Sequence, residues 1–390
     1  MAEAYIVAAT RTAGGRKGGR MRGWHPADLA GSVLDELIVR TGIDPAVVED
    51  VIMGCVTQAG EQSTNIARNA VLASKLPESV PGTSVDRQCG SSQQALQFAA
   101  QAVMSGTMDV VIASGVESMT RAPMGMSVML PAKAGMGVPK SPRMEDRYPN
   151  IQFSQFAGAE MVAAKYGLTK DQLDEYGYHS HQRAIAATQA GAFRDEILAL
   201  DGMDAEGNAV RHDSDEGIRY DVSLDGMRGV KLLQEGGRIT AATSSQICDG
   251  ASGVMVVSER ALKEHNLTPM ARVHHLSLLG HDPVIMLEAP IPATERALKR
   301  AGMSIDDIDL FEVNEAFASV PVAFIQKLGA DHAKVNVNGG AIALGHPLGA
   351  SGTKLMTTLL YALQARGKKY GLQTMCEGGG LANVTIVERL

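Results

Sequence analysis

Three stretches of the sequence set a reactive side chain against glycine. In VDRQCGSSQQALQFAA, residues 85–100, an apolar run ends near Val85 and a helical pattern begins around Gly90 to Ser92, so Cys89 falls at or near a helix N-terminus. Backbone N–H groups and the helix dipole favour a thiolate there, and Gly90 lets a bulky ligand approach the backbone. GGAIALGHPLGASG sets His346 in a glycine-rich turn ahead of a helix, a setting suited to a group that faces a ligand. MCEGGG places Cys376 at a strand end beside glycines whose N–H groups are free to point at an oxyanion. A fourth stretch, FEVNEAFAS, supplies Asn314 and Glu315 at a strand-to-helix transition. Each residue also has a plainer reading: either cysteine as a small core hydrophobe, His346 as loop packing, Asn314 as a helix cap. Glu377 is expected to be exposed; turned inward, its carboxylate would raise the pKa of Cys376.

The elements that must position these groups follow an α/β rhythm. Apolar runs such as DVVIASG, 109–115, alternate with amphipathic stretches such as SQQALQFAAQAVMSG, and AYIVAAT near the start reads as a first strand. From about 118 to 245 the texture changes to Met, Gly, Pro and charged residues, followed by helical segments near 154–166 and 169–191, which suggests an inserted lobe. The two ends echo each other, GIDPAVVEDVIMG at 42–54 against GMSIDDIDLFEVN at 302–314, as expected of a duplicated unit.

Composition narrows the class of function. At 390 residues the chain is long enough for two or three compact units, and 45% hydrophobic with 20% charged residues fits an ordinary globular protein. No apolar run approaches a membrane span, and the first residues lack the pattern of a cleaved leader, so a cytoplasmic protein is expected. A net charge of −7 argues against general nucleic-acid binding, although RTAGGRKGGRMRG at 11–23 is a basic patch, either a solvated loop or a contact for an anion or another subunit. Cys55, Cys89, Cys248 and Cys376 lie far apart without C-x-x-C spacing, so neither a metal site nor a disulfide framework is expected. Cys55 and Cys248 read as structural.

With NVNGGAIALGHPLGASG, the upstream NEAFAS and a C-terminal Cys before GGG in view, the chain resembles the thiolase family along nearly its whole length. Ketoacyl synthases share that fold but usually carry a second histidine where this chain has Cys376. The resemblance implies an α/β thiolase fold: two similar βαβαβ-type halves in a five-layer α-β-α-β-α arrangement with an inserted loop domain. On that basis residues 1–117 plus 246–267 form the N-terminal half, 118–245 the loop domain and 268–390 the C-terminal half. It further implies free coenzyme A and acyl-CoA as substrates, no tightly bound cofactor, and a homodimer or homotetramer.

The family match also implies roles. Cys89 would be the acylated nucleophile, His346 its activator, and Cys376 the acid that protonates the departing carbanion. One oxyanion site would combine His346 with a water on Asn314, the other the N–H groups of Cys89 and Gly378. Ser245, in TAATSSQICDG, would meet the pantetheine and Arg219 the nucleotide end, although thiolases commonly have TAGN where this chain has TAAT at 240–243. Met286 and Phe317 are candidates for the acyl pocket. Biosynthetic acetoacetyl-CoA thiolases usually carry a His-Met-Gly stretch early in the first long helix of the loop domain; FSQFAGAEMVA at 153–163 has no His-Met pair, which favours a degradative 3-ketoacyl-CoA thiolase. The rival readings are an acetoacetyl-CoA thiolase, a non-catalytic acyl-CoA or lipid carrier, and a Cys-His-Asn hydrolase. The carrier needs only a pocket, and the hydrolase has no use for Cys376.

Overall fold

The computed structural model describes residues 2–390. Five strands build the first part of the sheet: β1 (Ala4–Thr12), β2 (Asp50–Gly54), β3 (Gly82–Val85), β4 (Val110–Ser118) and β5 (Cys248–Ser258). Four more follow: β6 (Ala271–Gly280), β7 (Leu310–Val313), β8 (Tyr370–Glu377) and β9 (Leu381–Arg389). Their order is β3-β2-β4-β5-β1-β6-β9-β8-β7. In the first part β2 is parallel to β3 and β4, while β5 runs antiparallel to β4 and β1. The second part repeats that pattern: β7 is parallel to β8, β9 is antiparallel to β8 and β6, and a parallel bridge from Phe311 to Val335 stands where β3 would be. The expected duplication is thus a repeat of topology. The two parts are not separate sheets, because Tyr5 and Ile6 of β1 pair with Arg272 and Ala271 of β6.

Helices cover this sheet in layers. α1 (Pro26–Thr41) and α2 (Ile66–Leu72) close one outer core on Val51, Met53, Ile112 and Met255. α3 (Ser91–Met104) lies between the two parts of the sheet. Near 154–166 and 169–191 the helices are α4 (Gln155–Lys165) and α5 (Lys170–Gln189), the latter started by a Thr169–Gln172 capping box. α6 (Pro290–Ala301) and α7 (Ser319–Leu328) close the other outer core, and α8 (Ser351–Ala365) joins α3 in the middle layer. α3 turns Ala95, Leu96, Ala99 and Val103 onto Met356, Leu359 and Leu363 of α8, the i, i+4 spacing of a helix face.

The contact between α3 and α8 is close enough to exclude a side chain at Gly352, where a Cβ would lie 2.0 Å from the Gln93 backbone nitrogen. Gly352→Ala is therefore expected to cost roughly 3 kcal/mol or more, measured as a lowered denaturant midpoint, because neither backbone can yield without shifting the helix carrying it.

The basic segment at 11–23 is not simply a solvated loop. Arg11 is fully buried and takes Glu196 at 2.5 Å and both oxygens of Asp215 at 2.8 and 3.0 Å, while Gly14 N–H donates to the same carboxylate at 2.7 Å. Its anionic partners are internal and fasten the stretch between β4 and β5 onto β1. Arg16 remains exposed. No helix among the described residues is long and apolar enough to cross a membrane.

Candidate active site

Cys89 is held by a turn of local hydrogen bonds between β3 and α3. Gln88 takes φ +49° and donates its N–H to Asp86 Oδ1 at 2.8 Å; Arg87 N–H donates to Ser91 Oγ at 2.9 Å, and Gly90 N–H to Arg87 O at 3.1 Å. The thiol comes one residue before Gly90, the N-cap of α3. Its position is as expected, but its resting charge differs from the expectation. Burial, with Glu377 adding to it, pushes the Cys89 thiol up to about 12, so the helix end does not hold a thiolate. The proton stays on sulfur until a base removes it.

His346 carries an imidazole with one nitrogen held and one free. Its Nδ1 is bonded to Ser351 Oγ, and Ser351 spends its only proton on Pro347 O at 2.9 Å. The network therefore assigns the imidazole proton to Nδ1 and leaves the Nε2 lone pair, which is buried and unpartnered, free to accept one. Burial and then Lys354 lower this histidine to about 3, so it rests neutral. Lys354 is itself buried and donates to Leu344 O and Gly345 O at 2.6 and 3.1 Å, fixing the turn that carries His346.

Cys376 is the last residue but one of β8 and is fully buried. Burial, the Cys89 sulfur and Glu377 together push its thiol well above the ordinary range, and the preceding residue, Met375, packs in one cluster with Cys89. Gly378 opens the turn from β8 to β9, and a Cβ there would lie 3.0 Å from Gln88 Oε1, so this turn rests against the residue before Cys89. Asn314 is not a helix cap, since α7 starts at Ser319. Its N–H donates to Thr374 O at 3.1 Å, and both atoms of its buried side-chain amide lack a protein partner. An amide so placed is equipped to hold a water. Glu377 corrects the expectation of an exposed side chain: it is fully buried and no donor meets either oxygen.

Of these groups His346 alone lines a cavity of about 220 Å³, where it is joined by Ser245 and Phe317. Cys89 packs on Met119 and Leu348, which also line it. Residues 243–246 are threaded between the NEAFAS segment and the glycine-rich turn of His346: Ala318 N–H donates to Thr243 O at 2.8 Å, Ser245 N–H to Ala316 O at 2.9 Å, and His346 N–H to Gln246 O at 3.0 Å. The TAAT departure closes on itself, with Thr240 N–H donating to Thr243 Oγ1 at 2.9 Å and Ser244 Oγ to Thr240 O at 2.7 Å. Cys248 packs beneath Gly345, where a Cβ would meet its sulfur at 2.7 Å, and stays outside the cavity lining.

Cys89, Cys376, Asn314 and Gly378 stay outside that lining, as do the two binding candidates Met286 and Arg219. Met286, at φ +53°, sits in the core with Phe317 and Cys376 and does not line it. Arg219 is at the surface, its N–H bonded to His181 Nδ1 at 3.2 Å. The sequence reading missed Phe156, Leu233 and Ile247, which complete the wall; Phe156 meets Phe317 edge to face at 5.5 Å. The absence of His-Met from 153–163 pointed to that segment without naming Phe156. Among the described residues, no group of His, Cys, Asp and Glu could hold a metal.

Comparison with known proteins agrees with this geometry. Residues 4–260 match the family model for the thiolase N-terminal domain, and 267–389 that for the thiolase C-terminal domain. A steroid 3-ketoacyl-CoA thiolase, FadA6, of Mycobacterium tuberculosis is 52% identical over all of this chain and 95% of its own length. A 3-ketoacyl-CoA thiolase of Yersinia pestis is 43% identical over the whole of both. Among solved structures, human mitochondrial 3-ketoacyl-CoA thiolase superposes with TM-score 0.90 at 34% identity, and Bacillus anthracis acetyl-CoA acetyltransferase with 0.91 at 33%. Both cover 100% of this chain and are themselves 99% covered.

Proposed function

The chain belongs to the thiolase family and cleaves 3-ketoacyl-CoA with coenzyme A, and on that premise we propose that Cys89 is the nucleophile that carries the acyl group. The observation that carries this reading is that Cys89 packs with Met375 and Leu348, which brings the turns of Cys376 and of His346, with its free Nε2, to the buried thiol. Cys89 Sγ attacks the 3-keto carbon while His346 Nε2 takes its proton. The oxygen, now negative, sits between the N–H groups of Cys89 and Gly378. The C2–C3 bond then breaks, the acetyl-CoA enolate oxygen is held by His346 and a water on Asn314, and Cys376 gives its proton to C2. Coenzyme A enters, loses its thiol proton to the Cys376 thiolate and attacks the acyl-Cys89 thioester. Cys89 leaves with the proton stored on His346, and the site is restored with every proton accounted for.

The same reading extends to binding and assembly. Ser245 meets the pantetheine, Arg219 the nucleotide end and Phe317 the acyl group; Met286 supports Phe317 from behind. Coenzyme A is a substrate, with no resident cofactor. There are two thiolase halves, 1–117 plus 246–267 and 268–390, with the loop domain 118–245 inserted in the first, a division supported by the repeated strand order and by the texture of the insert. The protein works in the cytoplasm as a homodimer or homotetramer, in keeping with the unpaired edge strand β3 and the exposed Met129, Leu130, Met136 and Val138.

The preferred acyl group is longer than four carbons, because the wall contributed by Met119, Phe156, Leu233, Ile247 and Phe317 is apolar. Each buried methylene contributes about 0.8 kcal/mol, so kcat/KM for CoA-dependent loss of 3-ketoacyl-CoA enolate absorbance is expected to climb in steps of up to about fourfold from a four-carbon to an eight-carbon substrate. Equal or falling values would favour an acetoacetyl-CoA thiolase. Tight acyl-CoA binding without turnover would indicate a carrier.

A further inference from the structure

Glu377 is the least satisfied charge-bearing group in the molecule's reactive centre. It follows Cys376 on β8, so strand alternation turns it away from the side on which Cys376 lies and toward the start of α3. A Cβ built on Gly90 would lie 2.1 Å from Glu377 Oε1 and 3.0 Å from Asn383 Oδ1. Both oxygens therefore converge on one face of Gly90, both are buried, and neither has a hydrogen-bond donor. Two acceptors facing each other in a dry space repel unless one carries a proton. A carboxylic acid at 377 would resolve this by donating its O–H to Asn383 Oδ1. Asn383 Nδ2 in turn donates to Gly90 O at 3.3 Å, the same carbonyl that receives Gln94 N–H at 2.8 Å.

We propose that Glu377 works as a neutral carboxylic acid and is a positioning residue, tying the Cys89–Gly90 turn to β9 through the Asn383 amide while keeping a negative charge away from the two thiols. The groups around it fit that role. Cys376 lies beside it on β8, while the turn before α3 presents Cys89 and Arg87; β9 presents the uncharged Asn383. Glu117 and Asp86 act on Cys89 from further off, and His346 is neutral. Burial raises Glu377 to about 8, with the Arg87 charge offsetting only part of that cost. The acid form therefore prevails at neutral pH. Above that range the carboxylate forms and makes both thiols harder to ionise.

This inference rests on the two-thiol site but is tested apart from it, by following alkylation of Cys89 with iodoacetamide from pH 6 to 10 alongside thiolysis. Glu377→Gln keeps a donor for Asn383 and never ionises; Glu377→Met removes the charge and the donor at similar volume. Above pH 8 both variants are expected to alkylate about tenfold faster than wild type, a shift of one pKa unit in the thiol. At pH 7, Glu377→Gln is expected to hold kcat within about threefold, while Glu377→Met loses about tenfold or more with KM unchanged, the mark of a misplaced nucleophile. Alkylation profiles that superimpose on wild type, or a Gln variant as impaired as the Met variant, would overturn the proposal. Failure of wild type to consume 3-ketoacyl-CoA would instead count against the assigned reaction, and the alkylation profiles would still decide the state of Glu377.

Discussion

Cys89→Ala is expected to lower kcat for thiolysis by roughly four orders of magnitude or more and to abolish the acyl-enzyme seen by intact mass after mixing with 3-ketoacyl-CoA. The size of the effect follows from the chemistry left behind. Removal of the sulfur leaves His346 with no proton to accept and leaves the oxyanion N–H groups of Cys89 and Gly378 with no tetrahedral intermediate to stabilise. Neither Cys55 nor Cys248 can substitute. Cys55 is buried in the core beneath α1 and α2, and Cys248 lies behind Gly345, outside the cavity lining. The side chain at 89 is small and sits among Met119, Leu348, Leu355 and Met375, so its loss should cost about 1 kcal/mol of stability and leave the fold intact. An adduct still forming on the alanine variant would rule out Cys89 as the acyl carrier.

The resting protonation of the site explains why acyl transfer waits for substrate. With the thiol near 12 and the imidazole near 3, an ion pair of thiolate and imidazolium is strongly disfavoured in the empty cavity. Proton transfer to Nε2 becomes favourable only as the new C–S bond takes up the sulfur's charge and the two backbone N–H groups take up the oxygen's. Such a site protects its nucleophile from solvent reagents between turnovers, since thiol reactivity follows the thiolate fraction.

Local pattern carried the sequence reading furthest where a residue's partners are close in the chain. The boundary between strand and helix at Cys89 and the paired helices α4 and α5 follow from periodicity and caps, and the echo of 42–54 in 302–314 became a repeated strand order. Glu377 was misjudged because a strand's last residue, beside three glycines, has the composition of a surface turn. Its burial is decided by Gly90 and Asn383, the first of them 287 positions earlier in the chain. Arg11 was misjudged for the same reason: the carboxylates that bury it, Glu196 and Asp215, come from the insert. The cavity wall is assembled from α4, the loop at Leu233 and the strand end at Ile247, which no linear spacing brings together. Met286, apolar and near the right segment, turned into the core instead, and composition alone does not separate those outcomes.

Cys376→Ala separates the two thiols by separating the two halves of the reaction. Exchange of labelled coenzyme A into acetyl-CoA requires only that Cys89 be acylated and released, with His346 Nε2 holding the proton in between. Carbon–carbon cleavage also requires an acid at C2, and a positioned acid or base contributes typically 10² to 10⁴ in rate. The variant is therefore expected to lose about 10³ in thiolysis while exchange falls by less than about tenfold. No other group is placed to replace the thiol: His346 Nε2 is already committed to the Cys89 proton, and Glu377 points from β8 toward Gly90 and Asn383. Equal losses in the two assays would assign Cys376 to acyl transfer itself. Retention of thiolysis would move the carbon acid's proton to His346 and reduce the second thiol to packing against Phe317.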